Sequence, residues 1–107
     1  MRAEAIKGHV DTALLAVLRS GPAHGYALVR RLDAASEGVF ALGEGTVYPA
    51  LHRLEREGLV VSSWSKESGR RRRVYSLTRN GERALEHRAV EWATLSRGLA
   101  SVLGGPA

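Results

Sequence analysis

The sequence predicts a mainly α-helical protein with one small antiparallel β-hairpin, which is an α+β fold. Four segments carry apolar residues at spacings of three and four, the pattern of an amphipathic helix. Between the third and fourth segments the pattern changes to β-branched and alternating residues on both sides of Gly69, as in two strands joined by a turn. A chain of 107 residues, 44% of them hydrophobic, is long enough for one small domain.

The first two helices are separated by Ser20, Gly21 and Pro22, a combination that ends one helix before the next begins. We expect the first helix at residues 9–19 and the second at about residues 23–36. The expected inward residues are Val10, Leu14, Leu15, Val17 and Leu18 in the first helix and Tyr26, Leu28, Val29, Leu32 and Ala35 in the second.

The third helix is expected at residues 44–57. Its apolar stripe consists of Val47, Leu51 and Leu54, and its opposite, polar face consists of Thr46, Tyr48, Pro49, His52, Arg53 and Arg56. Because Pro49 has no backbone N–H, we expect this helix to begin near Glu44 with an irregular first turn. Gly58 is well suited to end the helix in the left-handed conformation that other residues resist.

The hairpin is expected to follow immediately. Residues 59–65 and 73–77 are the expected strands, and residues 66–72 are the expected turn. The turn contains Gly69 and a run of arginines, so Arg70–Arg73 should lie at the tip of the hairpin and along its returning strand.

The last helix begins after Thr78 and carries an apolar seam about five turns long. The seam consists of Ala84, Leu85, Ala89, Trp92, Leu95, Leu99, Val102 and Leu103. One small domain cannot easily cover a seam of this length. Either a second copy of the chain covers it or it folds back on the first helix, and a dimer that uses both helices satisfies both interpretations.

The charge of the chain is unevenly distributed. The formal net charge is +5 and the pI is about 10.4. Residues 46–73 alone hold seven basic and three acidic residues, a net charge of +4. A clustered basic patch favours a polyanion such as DNA, RNA or an anionic membrane surface. The absence of cysteine excludes disulfides, thiolate zinc sites and a cysteine nucleophile.

Three helices, a basic hairpin and a long amphipathic helix follow one another in the order of a winged helix-turn-helix with an added helix. In that fold the second helix braces the third, which enters the major groove of DNA, and the hairpin forms a wing over a neighbouring phosphate or minor groove. We therefore expect residues 1–78 to form a winged helix-turn-helix DNA-binding domain, and residues 79–107 to form a C-terminal dimerisation helix and tail.

Three motifs of the chain resemble the PadR family of bacterial transcriptional regulators. They are His24-Gly25-Tyr26, the segment 44–59 with its Gly-Thr-Val-Tyr-Pro sequence, and the segment 69–81 with its Val-Tyr-Ser-Leu-Thr sequence. The chain is similar to the compact members, which have a single C-terminal dimerisation helix. The resemblance implies a homodimeric repressor that binds an inverted-repeat operator and that a small molecule often releases from DNA.

The DNA-binding candidates lie on the third helix, on the wing and at the start of the second helix. They are Tyr26, Thr46, Tyr48, Pro49, His52, Arg53, Lys66, Arg70, Arg71, Arg72 and Arg73. Arg53 is suited to a guanine contact or to a phosphate contact. Tyr26 and Tyr48 resemble family tyrosines that bond to phosphate through their hydroxyl groups. Two plainer interpretations stay open, with Tyr26 as a half-buried packing residue and the arginine run as a solvated surface.

The dimerisation candidates are Leu85, Ala89, Trp92, Leu95, Leu99, Val102 and Leu103. Trp92 also resembles a tryptophan of multidrug-sensing relatives, which binds flat ligands across the dimer axis. This resemblance implies a planar aromatic effector at Trp92, with Val10 and Leu14 as lining residues, because paired aromatic faces suit planar, often cationic compounds. The alternative is that Trp92 only anchors the interface.

The sequence favours neither a metal, nor a cofactor, nor an enzyme. The four histidines are scattered, and only His87 stands in a helical pair with a further ligand type, Glu91 at i, i+4. There is no glycine-rich phosphate loop, nucleophile motif or convergent carboxylate pair.

Without the apolar run of a signal peptide or of a spanning helix, we expect a cytoplasmic protein with no membrane partner. Two other functions stay open. One is a small-molecule or metal-sensing binding protein with incidental DNA affinity, and the other is an amphipathic module that binds membranes or partner helices.

Overall fold

The computed structural model describes residues 6, 8–67 and 69–104. Over these residues it contains four helices and three strands. They are α1 (Val10–Leu18), β1 (Ala23–His24), α2 (Gly25–Ala35), α3 (Glu44–Arg56), β2 (Val60–Glu67), β3 (Arg70–Leu77) and α4 (Arg79–Val102). The three strands form one antiparallel sheet in the order β1-β3-β2. The predicted mainly α fold with a β-hairpin is confirmed. Residues 105–107 of the expected tail and Ser68 of the expected turn lie outside the described residues.

The core forms where α1 packs against α2, α3, α4 and the central strand β3. Aliphatic side chains from each helix meet there, and burying each one contributes about 1.5–3 kcal/mol relative to leaving it exposed. The most deeply buried residues are Leu14, Leu15, Leu28, Leu32, Val47, Leu51, Leu54, Val60 and Tyr75. The predicted inward stripe of α3 is thus confirmed.

Glycine residues flank α3, but only the second one is required by its backbone conformation. The Gly43 carbonyl accepts from the N–H groups of Thr46 and Val47, both at 3.1 Å, so the first turn is tighter than a regular α-turn, as Pro49 led us to expect. At the other end Gly58 has φ +77°, and the Leu59 N–H reaches back to the Leu54 carbonyl at 2.9 Å. This is the Schellman ending that a left-handed glycine permits.

The start of α2 differs from the prediction. Residues 23–24 were expected to be helical, but they form the short strand β1, in which Ala23 pairs with Tyr75 and His24 with Val74. His24 is extended and caps α2 instead of lying inside it. The pairing partners lie about fifty residues away, so no local pattern indicates this strand. The prediction that Tyr26 and Ala35 of α2 face inward is also wrong, because both residues are exposed.

The hairpin is longer than predicted and its turn is shorter. Each strand has eight residues, and the register continues to the pairs Lys66–Arg71 and Glu67–Arg70. The expectation of a long turn over residues 66–72 is therefore wrong. The arginine run lies within β3, where successive side chains point to opposite faces of the sheet.

The helix α4 extends well beyond the core. Its 24 residues span about 36 Å, and the radius of gyration of 15.2 Å exceeds the roughly 13 Å of a compact domain of this length. Leu85 is the last large apolar residue of α4 that is buried, and the large apolar residues that follow are exposed. Of the helices described, none combines the length and the apolar character that crossing a membrane requires.

The junction between α3, the sheet and α4 depends on Thr78 and Gly81. The Thr78 hydroxyl donates to the Gly58 carbonyl at 2.7 Å and accepts from the Gly81 N–H at 3.0 Å, so it caps α4 and ties it to the end of α3. A Cβ at Gly81 would overlap the backbone carbonyl oxygen of Leu59. Glycine is therefore required by close backbone approach at this position.

Replacement of Gly81 by alanine should lower the free energy of unfolding by about 2 kcal/mol, because the Leu59 carbonyl can yield only if the junction shifts. Urea denaturation measures this change. Gly45→Ala is the matched control, since Gly45 also lies in the first turn of a helix and its Cβ would meet no atom within 4 Å. That variant should be neutral or more stable by up to about 1 kcal/mol. Equal destabilisation in both variants would contradict the assignment of Gly81.

Candidate nucleic-acid interface

A cleft of about 440 Å³ opens where the first turns of α2 and α3 meet β3. Its lining residues are His24, Gly25, Tyr26, Glu44, Tyr48, Arg70, Arg72 and Arg73. Two helix N-termini contribute partial positive charge here. The side chains of Arg70 and Arg72, which lie on one face of β3, add two formal positive charges, and Glu44 adds one negative charge. Phenol hydroxyls, guanidinium groups and helix N-termini are all donors to phosphate oxygens, so the cleft is suited to an anion.

His24 and Arg72 meet at the floor of this cleft. His24 Nδ1 accepts from the Ala27 N–H at 3.2 Å and so caps α2, while Nε2 lies 2.7 Å from Arg72 Nη1. A neutral imidazole has only one acceptor nitrogen. When Nδ1 serves as the cap, Nε2 carries the proton and faces another donor. Arg72 therefore gains no acceptor from His24 in that tautomer, and an anion in the cleft would supply one.

The two candidate tyrosines line the same cleft in different ways. Tyr48 is half-buried, and its ring lies so close to Gly25 that a Cβ at that position would overlap it. Tyr26 is 53% exposed. Tyr26 does not pack against the core, whereas Tyr48 packs against the start of α2 and also faces the cleft.

The polar face of α3 is exposed at Thr46, Pro49 and His52. Arg53 lies on the same helix, but Asp11 of α1 holds it. Arg53 Nη2 lies 2.6 Å from Asp11 Oδ1, and Arg53 Nε donates to Asp11 Oδ2 at 3.4 Å. The hydrogen bond and the negative charge of Asp11 raise the pKa of Arg53. The arginine that we expected to face DNA is thus bound to another helix in the free protein.

The wing presents its arginines on two faces. Arg73 lies opposite Trp64 on β2, donates through Nε to the Ser62 hydroxyl at 2.8 Å and lies 3.9 Å from a carboxylate oxygen of Glu55. Ser62 in turn donates to Glu55 at 2.6 Å. The wing is thereby joined to α3 by a hydrogen-bonded group that the sequence analysis missed.

The other charged residues of the wing are less constrained. Arg71 lies with its guanidinium carbon 4.6 Å from the centre of the Trp64 ring, and Arg70 and Lys66 are exposed. Arg72 is half-buried beside His24. No local pattern indicates that Trp64 and His24 contact arginines, because both contacts depend on the strand register and the β1 pairing.

The seam of α4 divides into a buried and an exposed part. The exposed part consists of Ala89, Trp92, Leu95, Leu99, Val102 and Leu103. Leu85, which was expected to face a partner, is 3% exposed and belongs to the core of its own chain. The seam therefore begins about one turn later than the sequence suggested.

Trp92 is 54% exposed, and its ring packs edge-on against His9 at a centroid distance of 5.3 Å. Two residues expected to line an effector site beside it do not do so. Val10 and Leu14 are buried in the core with exposures of 4% and 0%, so they present no surface to a ligand. Of the three residues expected to line the effector pocket, only Trp92 is exposed, and its neighbour at the surface is His9.

His87 and Glu91 form an exposed i, i+4 pair with Nδ1 and Oε1 3.3 Å apart. In the portion of the chain that the structure describes, no cluster of three or more histidine, cysteine, aspartate or glutamate side chains is arranged to hold a metal ion. This pair is a surface contact of α4.

Comparison with known families decides the identity of the fold. The family described as "Transcriptional regulator PadR-like family" matches this chain over residues 14–87, which include α2, α3, the wing and the start of α4. The chain belongs to this family. A PadR-like protein is a transcriptional regulator, which implies DNA binding, and the predictions of the family and of a non-enzymatic function are confirmed.

Individual relatives agree with this assignment. A transcriptional regulator of Mycobacterium tuberculosis is 47% identical over 68 residues, which cover 62% of this chain and 59% of that protein. A PadR family regulator of Eggerthella lenta is 34% identical, with a TM-score of 0.80 and coverage of 94% of this chain and 86% of that one. A PadR-like regulator of Bacillus cereus is 26% identical, with a TM-score of 0.84 and coverage of 97% and 100%.

The contact between α1 and α3 of this PadR-like protein leads to a prediction. Asp11→Asn should increase the affinity for any DNA duplex by about two- to fivefold, because it releases Arg53 and removes a negative charge beside the polar face of α3. Fluorescence anisotropy with a labelled random duplex measures the change. Asp33→Asn removes the same charge from an exposed position of α2 and is the control. An equal increase in both variants would show that Arg53 is not involved.

Proposed function

We propose that the chain is a homodimeric repressor that binds an inverted-repeat operator through α3 and the wing. The cleft at the starts of α2 and α3 carries this proposal, since it combines Arg72, Tyr26 and Tyr48 with two helix N-termini. One backbone phosphate bound there would fix the position of the protein on the duplex. Phosphate contacts set register and orientation, whereas base contacts set sequence choice.

Sequence choice is assigned to the exposed face of α3. Thr46 and His52 are exposed and lie six residues apart, so they are separated along the helix by about 9 Å, which corresponds to between two and three base-pair steps of about 3.4 Å. The N-terminal residues of a recognition helix are the ones that contact base edges in helix-turn-helix proteins. Thr46 lies in the first turn of α3, which meets this requirement.

The exposed seam of α4 supports the homodimer. Its large apolar residues Trp92, Leu95, Leu99, Val102 and Leu103 are each more than half exposed in the single chain. A contiguous apolar face of this kind is typical of a protein–protein interface. A two-fold dimer also matches the two half-sites of an inverted repeat. Because the operator lies on the chromosome, we assign the dimer to the cytoplasm.

The phosphate and base contacts predict two distinct mutational effects. Arg72→Ala should weaken binding to operator and random DNA alike by about tenfold, and should reduce the slope of log K against log salt by about 0.9 for each phosphate that is no longer neutralised. His52→Ala should mainly reduce the ratio of operator to random affinity, since it removes a base contact. Titrations at several salt concentrations on both duplexes separate the two effects.

Arg97→Ala is the control for these titrations. Arg97 is an exposed residue of α4, five positions from Trp92 and therefore on another side of the helix. Its replacement should leave the slope unchanged. A wild-type affinity that barely responds to salt would exclude phosphate contacts as the main source of binding, and with them the proposed function.

The dimer makes a separate prediction. Replacing Leu95 and Leu99 together by aspartate should convert the dimer to a monomer, because two charges would enter an apolar interface. Size-exclusion chromatography with light scattering measures the mass. Val90→Asp is the matched control, because Val90 is 66% exposed on the side of α4 roughly opposite Trp92. Dissociation of the dimer in the Val90 variant, or its retention in the double variant, would argue against the seam.

Release from DNA by a planar aromatic ligand is a second, weaker hypothesis. It rests on the exposed ring of Trp92 alone, since Val10 and Leu14 are buried. Titration of Trp64→Phe protein with planar aromatic compounds would follow Trp92 emission without interference from the other tryptophan. Quenching in a protein that has no specific DNA site would favour a sensing protein with incidental DNA affinity over a repressor.

A further inference from the structure

Trp64 is an exposed aromatic residue in the most basic part of the molecule. Its side chain on β2 is 57% exposed, and two guanidinium groups lie against its ring. The distances from the ring centre to the guanidinium carbons are 4.6 Å for Arg71 and 5.2 Å for Arg73. Both lie within the roughly 6 Å range of a cation–π interaction. The indole is thus a binding surface for arginine side chains of the same wing.

The two arginines differ in what else holds them. Arg73 also binds Ser62 and faces Glu55, so it connects the Trp64 ring to the recognition helix α3. Arg71 is exposed and lies against the face of the Trp64 ring. Arg71 pairs with Lys66, one register pair from the last pair of the hairpin. On one side the Trp64 ring contacts Arg73, which is connected to α3. On the other side it contacts Arg71 near the end of the wing.

Stacking on an aromatic face suits an arginine that must also bind phosphate. When a guanidinium stacks on an aromatic ring, the ring contacts the face of the planar group and the N–H groups point outward from its edge. Those edge N–H groups are the donors that form paired hydrogen bonds with phosphate oxygens. Ring contact and phosphate contact therefore do not compete. A held side chain also gives up less conformational freedom when it binds.

We propose that Trp64 is a positioning residue for DNA binding, which holds the guanidinium of Arg71 in the orientation that contacts the phosphate backbone. This inference rests on the proposed function, because it requires the wing to lie against DNA. In this proposal Trp64 and Arg71 act together in one contact with DNA. Arg70, which lies on the opposite face of β3 from Arg71, belongs to a separate contact.

A double-mutant cycle tests whether the two residues act together. Wild type, Trp64→Leu, Arg71→Ala and the double variant are titrated with a random duplex at low salt, so that no operator needs to be known. Trp64→Leu should weaken binding about fivefold, and Arg71→Ala about tenfold. The double variant should be no weaker than Arg71→Ala alone, because Trp64 acts through Arg71.

Two controls distinguish positioning from other roles. Trp64→Phe retains an aromatic face and should bind within about twofold of wild type. The cycle of Trp64→Leu with Arg70→Ala should be additive, since these side chains lie on different faces of the hairpin. An additive cycle with Arg71, or equal weakening in the Phe and Leu variants, would overturn the inference. Direct contact between Trp64 and DNA would give an additive cycle with Arg71.

A measurement on the free protein is independent of DNA. The side-chain methylene protons of Arg71 should be shifted upfield in the NMR spectrum by the Trp64 ring current, and this shift should disappear in Trp64→Leu. Unshifted protons in the wild type would mean that the stack does not form. Failure of the wild type to bind any duplex overturns the proposed function together with this inference, whereas wild-type binding with an additive cycle overturns this inference alone.

Discussion

Tyr75 is buried at 1% exposure and holds the central strand β3 in one register against both of its neighbours. It pairs with Ala23 of β1 on one side and with Ser62 of β2 on the other. Burial raises the pKa of the Tyr75 phenol, and the Glu55 carboxylate raises it further, so the ring stays neutral in the core. A slip of β3 by one residue would expose Tyr75 and exchange the faces of every arginine on the strand. The surroundings of each arginine on β3 therefore depend on this register.

With the register fixed, two consecutive arginines have unlike surroundings. The side chain of Arg72 lies on the face of the sheet that also carries His24, and it contacts the His24 ring at the floor of the cleft. The side chain of Arg73 lies on the opposite face of the sheet, where it contacts Ser62 and the Glu55 carboxylate of α3. An exposed ion pair at 3.9 Å contributes little to stability. The Arg73 contacts nevertheless join β3 to α3 through Ser62 and Glu55, whereas the Arg72 guanidinium lies in the cleft beside His24.

The parts of this structure that local patterns determine were predictable. The stripe of α3 recurs at helical spacing, and Gly58 marks its end, so both could be found from a few neighbouring residues. The strand β1 could not, because Ala23 and His24 become a strand only through residues about fifty positions later. The same holds for Arg53, which the sequence presents as a free DNA contact but which binds Asp11 across 42 positions. A pattern of residue types also cannot decide which arginine of a run faces which side until the register is known.

The helix α1 explains why the effector site expected from the sequence is not formed as expected. Its inward residues Val10 and Leu14 are enclosed, since α1 packs on α2, α3 and α4 at once. At the start of α1, the N-cap residue His9 packs against Trp92 of the seam, and Asp11 in the first turn binds Arg53 of α3. These two contacts are only two residues apart in the chain. The exposed start of α1 therefore touches the seam and the polar face of α3, whereas the inward residues of α1 have no surface with which to line a cavity.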